Sequence, residues 1–237
     1  MSTLNYAKDF NLKRSLPLGK QIYEKLRDKI IYTELFPLTE IYESDLAKKL
    51  NVSRTPIRDA LKKLENDGLV ETIPQVKSVV SKINVKTIKE ANHVRSLLET
   101  DIVNELSNTI NQKQIKELRV INNNFKKSAK NNFYKKAYYY DNLFHQKLAI
   151  FSNKKLSWKI INQINSQIDR IRNISYTHKG NNNFGPLEAG KDHDKIIHEI
   201  SNKNSKLAIK IMKKHVMSLE RYVIFIQQQK TLKNYLK

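Results

Sequence analysis

The chain predicts a mainly α fold in two parts: an N-terminal winged helix-turn-helix with a two-stranded wing, followed by an all-α antiparallel helical bundle. Three observations carry this expectation. A capped amphipathic helix with a breaker behind it occupies residues 53–68, and two short apolar segments around a tight turn follow it. From Asn84 onward the apolar residues recur at helical spacing, with polar loops between them and no alternating strand pattern.

The first helix-turn-helix element is Glu43–Leu50, a short helix with Leu46, Ala47 and Leu50 facing inward. Asn51-Val52 makes the tight turn into the next helix. Ser53 suits the N-cap, and Pro56 falls in the first helical turn, where its missing N–H costs nothing. Ile57, Leu61 and Leu64 make one buried stripe, and Gly68 stops the helix. Arg54 and Arg58 lie four residues apart beside that stripe and close to the helix N-terminus, where a helix-turn-helix presents side chains to base edges and phosphates. Guanidinium suits both targets. Leu69–Pro74 and Lys77–Val80 read as the wing strands around Gln75-Val76, with Lys77 at the wing tip as a further candidate DNA contact.

These residues carry a resemblance. Ser53-Arg-Thr-Pro-Ile-Arg58, followed by Ala60-Leu61, Leu64 and Gly68-Leu-Val70, resembles the N-terminal domain of the GntR family of bacterial regulators. The resemblance implies that Ser53, Arg54, Thr55 and Arg58 contact the operator. Two departures stand out: the family's usual glycines near Glu34 and Leu38, and in the wing near Lys77, are absent. The loop before the Glu43–Leu50 helix and the wing turn are therefore expected to differ in shape, and a minor-groove contact by the wing is not implied.

A chain of 237 residues leaves room for a second domain, and the boundary falls at 83/84: 1–83 for the DNA-binding unit and 84–237 for a helical second domain. The absence of Cys excludes disulfides, thiolate zinc sites and a Cys nucleophile. No apolar run approaches the ~20 residues that span a bilayer, and the first ten residues lack the apolar core of a signal peptide, so a soluble cytoplasmic protein is expected. The net charge of +21 is unevenly spread: residues 1–83 hold 15 basic and 11 acidic side chains, and residues 84–237 hold 29 and 12. Most of the surplus lies outside the DNA-reading unit, in a chain rich in Asn, Ile and Lys throughout. It reads as the bias of an AT-rich coding sequence rather than as a second DNA surface, although a positive field still speeds association with DNA.

In the second domain helices are expected at about 86–106, 112–130, 134–151, 155–177, 192–202 and 204–229, with a loop over 179–190 between the fourth and fifth. Asp141 and His145 share one helical face, a pair that by itself reads better as a surface hydrogen bond than as a ligand pair. His193 opens a late helix, and His215 borders the stripe of Ile209, Met212, Val216 and Leu219 in the last. A buried neutral imidazole must be hydrogen-bonded or metal-bound, and three histidines with one carboxylate converging in a bundle match a divalent-metal site.

The spacing of these residues resembles the metal-binding ligand domain of the FadR-type branch of the GntR family, the FCD domain, and extends to its six-helix, VanR-like subgroup. Asp-x-x-Phe-His at 141–145, Ser152-Asn153 and Val94-Arg-x-x-Leu-Glu99 agree with it, so the resemblance runs from about Gln21 to Tyr222. It implies that Asp141, His145, His193 and His215 are the metal ligands, with zinc first and nickel, manganese or iron also suited to three histidines and an aspartate. His93, His178 and His198 are left out. It further implies a small organic-acid effector held by the metal, with Arg95 neutralising its charge; the alternative for Arg95 is a salt bridge to Glu99 on its own helix. Arg170 and Arg172 are weaker candidates. A homodimer reading a palindromic double-stranded operator, with repression as the default, completes the expectation.

Two other function classes compete. A metal-dependent hydrolase could use the same ligands, but the chain has no His-Glu-x-x-His, no nucleophile motif and no Gly-rich phosphate loop, with only five glycines in all. A non-specific basic nucleic-acid-binding protein would rest on the charge, and would bind unrelated duplexes about equally.

Overall fold

A computed structural model describes residues 5–177 and 185–237. The chain divides into two compact units, Met1–Asn84 with Lys230–Lys237, and Val85–Gln229.

In the first unit, α1 (Leu18–Ile31) buries Ile22, Leu26 and Ile30 on one face. It packs against α3 (Arg54–Asn66), whose buried stripe is Ile57, Ala60, Leu61 and Leu64. Each such leucine or isoleucine taken out of water contributes roughly 1.5–3 kcal/mol. The helices meet closely at Gly19, where a Cβ would sit 3.4 Å from the Pro56 carbonyl oxygen. α2 (Glu43–Leu50) buries Leu46 and Ala47, with Leu50 half-buried, and ends at Asn51 in the left-handed region at φ 51°. Ser53 occupies the N-cap of α3 with extended backbone, but its hydroxyl makes no capping hydrogen bond. Gly68, at φ 67°, turns the chain out of α3.

The wing is larger than the expected pair. β2 (Val70–Ile73) and β3 (Lys77–Val80) pair antiparallel, with Val70 opposite Val80 and Ile73 opposite Lys77. A third strand, β1 (Glu40–Ile41), adds to the other edge of β3, giving the order β1-β3-β2. Two residues are too short a run to show alternation, which is why β1 has no sequence signature. Left-handed backbone appears close to the positions where glycine is missing: Thr33 at φ 57°, Leu38 at φ 73° and, in the wing turn, Gln75 at φ 62°. The tight geometry is kept there without the residue that adopts it freely.

The second unit contains α4 (Val85–Thr109), α5 (Gln112–Lys130), α6 (Tyr134–Phe151), α7 (Lys155–Ile164), α8 (Ser166–Thr177), α9 (Pro186–Ser201), α10 (Ser205–Met217) and α11 (Leu219–Gln228). Its core is built from Ile102, Leu106, Leu118, Phe144, Leu148, Ile196, Ile200 and Met212, among others. α4 packs along α10, α5 along α6 and α9, and α9 along α10. Asn111 and Gln114 form a reciprocal capping box at the start of α5, each side chain accepting from the other's backbone N–H at 3.0 Å.

Two helices expected to be continuous are divided. The 155–177 segment breaks at Asn165 and the 204–229 segment at Ser218. At the second break the Ser218 hydroxyl donates to the His215 carbonyl oxygen at 2.7 Å, competing with the helical ladder. α9 begins earlier than expected, at Pro186. Gly190 lies inside it because α5 comes so close that a Cβ would stand 2.6 Å from the Lys126 Cγ. The rest of the expected loop, through residue 184, and His178 lie outside the described residues. The tail Lys230–Lys237, assigned from sequence to the helical domain, is part of the first unit. The Ile83 N–H donates to the Tyr235 carbonyl at 2.7 Å, and the Lys237 N–H to the Ile83 carbonyl at 2.9 Å.

Candidate functional site

α6 presents Asp141 and His145 one turn apart, α9 supplies His193 and α10 supplies His215, and all four are at most 2% exposed. One ligand atom from each lies within 4.8 Å of the others. The His215 Nε2 is 3.3 Å from the Nε2 of His193 and 3.3 Å from that of His145, and the His193 Nε2 is 3.6 Å from Asp141 Oδ1.

The opposite edges of the rings explain why these nitrogens converge. His145 Nδ1 bonds Glu99 Oε2, and His193 Nδ1 lies 3.1 Å from Asn122 Oδ1. The Asn122 amide nitrogen donates to the Gly190 carbonyl at 2.9 Å and to Asp194 Oδ1 at 2.7 Å, so its oxygen is the acceptor for His193. Both Nδ1 atoms therefore carry the proton, and both Nε2 lone pairs face inward. Asp192 Oδ2 stands 3.7 Å from His215 Nδ1.

Burial pushes His145 and His193 below the ordinary 6.5 despite the nearby carboxylates, which keeps both imidazoles neutral. Burial alone would raise the Asp141 carboxyl, but the Arg172 guanidinium overrides it and holds the group ionised; Arg172 Nη1 donates to Asp141 Oδ2 at 2.9 Å. Glu99 is likewise held ionised against burial, by Arg95 and then His145. Asp141 Oδ1 has no hydrogen-bond partner. The buried Asp141 Oδ1 and the inward Nε2 lone pairs of His145 and His193, with His215 Nε2 within 3.3 Å of both, fit a divalent cation in chemistry and number.

Arg95 is buried on α4 and its Nε bonds Glu99, so the salt bridge read from sequence forms. Its Nη2 is buried without a partner, as is the Nε of Arg172. Arg170 bonds Gln167 Oε1 at 3.1 Å. His198 and His93 are exposed. The supporting residues Asn122 and Asp192 were not singled out from sequence. Asn122 had a signal, since it stands among the apolar positions Ile115, Leu118, Ile121 and Phe125 of α5, and a polar side chain in such a stripe needs a buried partner.

In the first unit, Ser53, Arg54, Thr55 and Arg58 are all exposed at the N-terminal end of α3. Arg54 has no ion pair among the described residues, whereas Arg58 Nη2 is 3.1 Å from Glu43 Oε2 on α2. Lys77 does not project from the wing tip: its ammonium is paired with Glu40 on β1, the strand that sequence reading missed. The tip itself carries exposed Ile73 and Val76.

An exposed helix N-terminus bearing arginines, set behind a helix and a tight turn and followed by a wing, defines a DNA-binding transcriptional regulator. The chain belongs to the GntR family: residues 18–80 match the bacterial regulatory proteins of the gntR family, and residues 90–218 match the FCD domain. It is 25% identical over 218 residues to the HTH-type transcriptional repressor RspR of Escherichia coli K12, covering 92% of this chain and 94% of RspR. It is 28% identical over 218 residues to the uncharacterized regulator YdhC of Bacillus subtilis, covering 89% and 91%. In fold it is similar to E. coli McbR/YncC, with a TM-score of 0.71 at 18% identity over 90% of this chain and 99% of that one. A putative GntR regulator from Rhodococcus sp. RHA1 gives a TM-score of 0.72 at 18% identity over the same shares, 90% and 99%. The family is one of regulators, not enzymes. Among the described residues no helix is long and apolar enough to cross a membrane.

Proposed function

We propose that the chain is a homodimeric, cytoplasmic repressor whose affinity for a palindromic operator responds to a small carboxylate held at a divalent metal in the helical unit. The observation that carries the effector half is the unpartnered Asp141 Oδ1 facing the Nε2 atoms of His145, His193 and His215. Asp141, His145, His193 and His215 would hold the cation, zinc first, with nickel, manganese and iron also suited to the donor set. Bound there, it would supply a Lewis-acidic anchor for an organic acid. Glu99 and Asn122 keep His145 and His193 in the tautomer that presents Nε2, and Arg172 keeps Asp141 ionised. The buried, unpartnered N–H groups of Arg95 and Arg172 supply positive donors for a carboxylate.

In the DNA-binding unit, Ser53, Arg54, Thr55 and Arg58 are the operator contacts, Arg54 with no ion pair among the described residues and Arg58 exchanging Glu43 for DNA. Lys77 would act only after leaving Glu40, so its part is the weakest of the five.

Metal analysis of the purified full-length protein, coupled to operator titrations with a panel of small organic acids, tests this. Stoichiometric divalent metal and an acid-dependent change in operator affinity are expected. Metal-free protein that responds equally to the acids would overturn the effector half, and a stable monomer at micromolar concentration would overturn the dimer.

A further inference from the structure

The segment before α1 lies outside residues 18–80, the part matched to the gntR family, and it is built onto the helix-turn-helix. Ala7 and Phe10 are buried, and Asp9 pairs with Lys29 of α1 at 2.7 Å. Gln21 then clamps the chain: its side-chain oxygen accepts from the Lys13 N–H at 2.8 Å, and its amide nitrogen donates to the Lys13 and Leu16 carbonyls at 2.8 and 3.2 Å. The Leu16 N–H returns to the Lys13 carbonyl at 3.1 Å, closing a turn with Lys13, Arg14 and Ser15 exposed at its apex. This turn faces the end of α2: Lys13 and Arg14 border the same hollow as Leu50 and Val52. Arg14 Nη2 reaches the carbonyl oxygen of Asn51 at 3.4 Å, two residues before Ser53. Neither Lys13 nor Arg14 is ion-paired among the described residues, unlike Arg58 and Lys77.

A clamped turn that holds two uncompensated cations beside the N-terminus of a recognition helix lies where the sugar-phosphate backbone borders the groove that helix enters. We propose that the Lys13-Arg14 turn is a second DNA contact, binding backbone phosphates beside the groove that α3 reads. It adds affinity without sequence preference, because phosphates are the same in every duplex. The proposal rests on the operator reading above. The clamp matters because a flexible arm would lose conformational entropy on binding that a pre-ordered turn has already lost.

The test uses full-length protein with two probes: a duplex selected by the parent protein from a random-sequence library, and a scrambled duplex of equal length. Affinity for each is measured across a salt series for the parent, the double variant Lys13→Ala/Arg14→Ala, and Arg54→Ala. The double variant is expected to weaken both duplexes by a similar factor, roughly tenfold near 0.1 M salt. It should also lower the slope of log affinity against log salt by about 1–2, one phosphate contact per cation lost. Arg54→Ala should weaken the selected duplex far more than the scrambled one. A double variant with the parent's slope, or one that loses affinity for the selected duplex alone, would overturn the proposal. A parent that prefers no duplex would instead overturn the operator reading, and the slope on scrambled DNA would still decide the turn. Both residues are exposed, so an unchanged melting temperature separates loss of contact from loss of fold.

Discussion

Asn122 and His193, 71 residues apart in sequence, are joined at 3.1 Å from amide oxygen to Nδ1, and the same amide holds the Gly190 backbone at 2.9 Å. One side chain thus sets both the tautomer of the His193 imidazole and its distance from α5. Asn122→Ala should lower divalent-metal affinity by roughly ten- to a hundredfold, the usual effect of losing a hydrogen-bond partner behind a metal ligand. Competition against a chelating dye measures it, and parent-like affinity would show that His193 is oriented by packing alone.

His145→Ala and His215→Ala each remove an inward nitrogen, and both variants should lose bound metal together with the thermal stabilisation that added metal confers. His198→Ala, altering an exposed ring, should do neither. Elemental analysis and melting curves with and without zinc give the answer. Equal metal content in all three variants and the parent would remove the basis for an effector site.

Glu43 stands 3.1 Å from the guanidinium of Arg58 and must be exchanged before that arginine can meet DNA. Glu43→Gln should therefore tighten operator binding a few-fold, chiefly through faster association, since it frees a cation and removes a charge that repels phosphate. Arg54→Ala and Arg58→Ala should each weaken binding by roughly ten- to a hundredfold if the side chain reads a base. Stopped-flow association with a labelled duplex separates the effects, and weaker binding by Glu43→Gln would mean that the pair positions Arg58.

Leu38 holds φ 73° and is 48% exposed, so a glycine there relieves a conformation that L-residues adopt at a cost but gives up the buried half of the leucine. That lost burial and glycine's greater freedom in the unfolded chain offset the relief, so Leu38→Gly should change stability by less than about 1 kcal/mol. Gln75→Gly in the wing turn, where the side chain is exposed, should raise stability by about 0.5–1 kcal/mol. Chemical denaturation of both variants checks this, and a loss of stability in Gln75→Gly would place the cost of the turn elsewhere.

The metal-free protein should lose stability as acid is added from neutral pH. Burial holds His145 and His193 below 6.5 in the folded chain, so the unfolded chain binds more protons once the pH falls past that value. This contribution is complete above about pH 6.5 and declines below it. Asp141 and Glu99, both held below the usual carboxylate range, add a second loss only at lower pH. Melting temperatures of metal-free protein between pH 5 and 8 should fall on the acid side, and a flat profile would count against buried neutral imidazoles.

Elements set by local chemistry were legible in the sequence. The capped and interrupted run from Ser53 to Gly68 has one helical reading, and α5 and α6 have the residue limits that their periodicity demands. Asp141, His145, His193 and His215 were legible as a set through the family resemblance and the apolar stripe that His215 borders, since the Asp141–His145 pair alone reads as a surface hydrogen bond; the fold brings the four together. What only the tertiary structure decided depends on partners distant in the chain. β1 exists because β3 offers it an edge, Lys77 turns to Glu40 because that strand is there, and position 190 suits a glycine because α5 leaves little room for a Cβ. The second layer of the site, with Glu99, Asn122 and Arg172 behind the ligands, has the same origin. Hydrogen bonds between residues 31–71 positions apart leave no period in a sequence, because they are chosen by packing and not by the repeat of a helix or a strand.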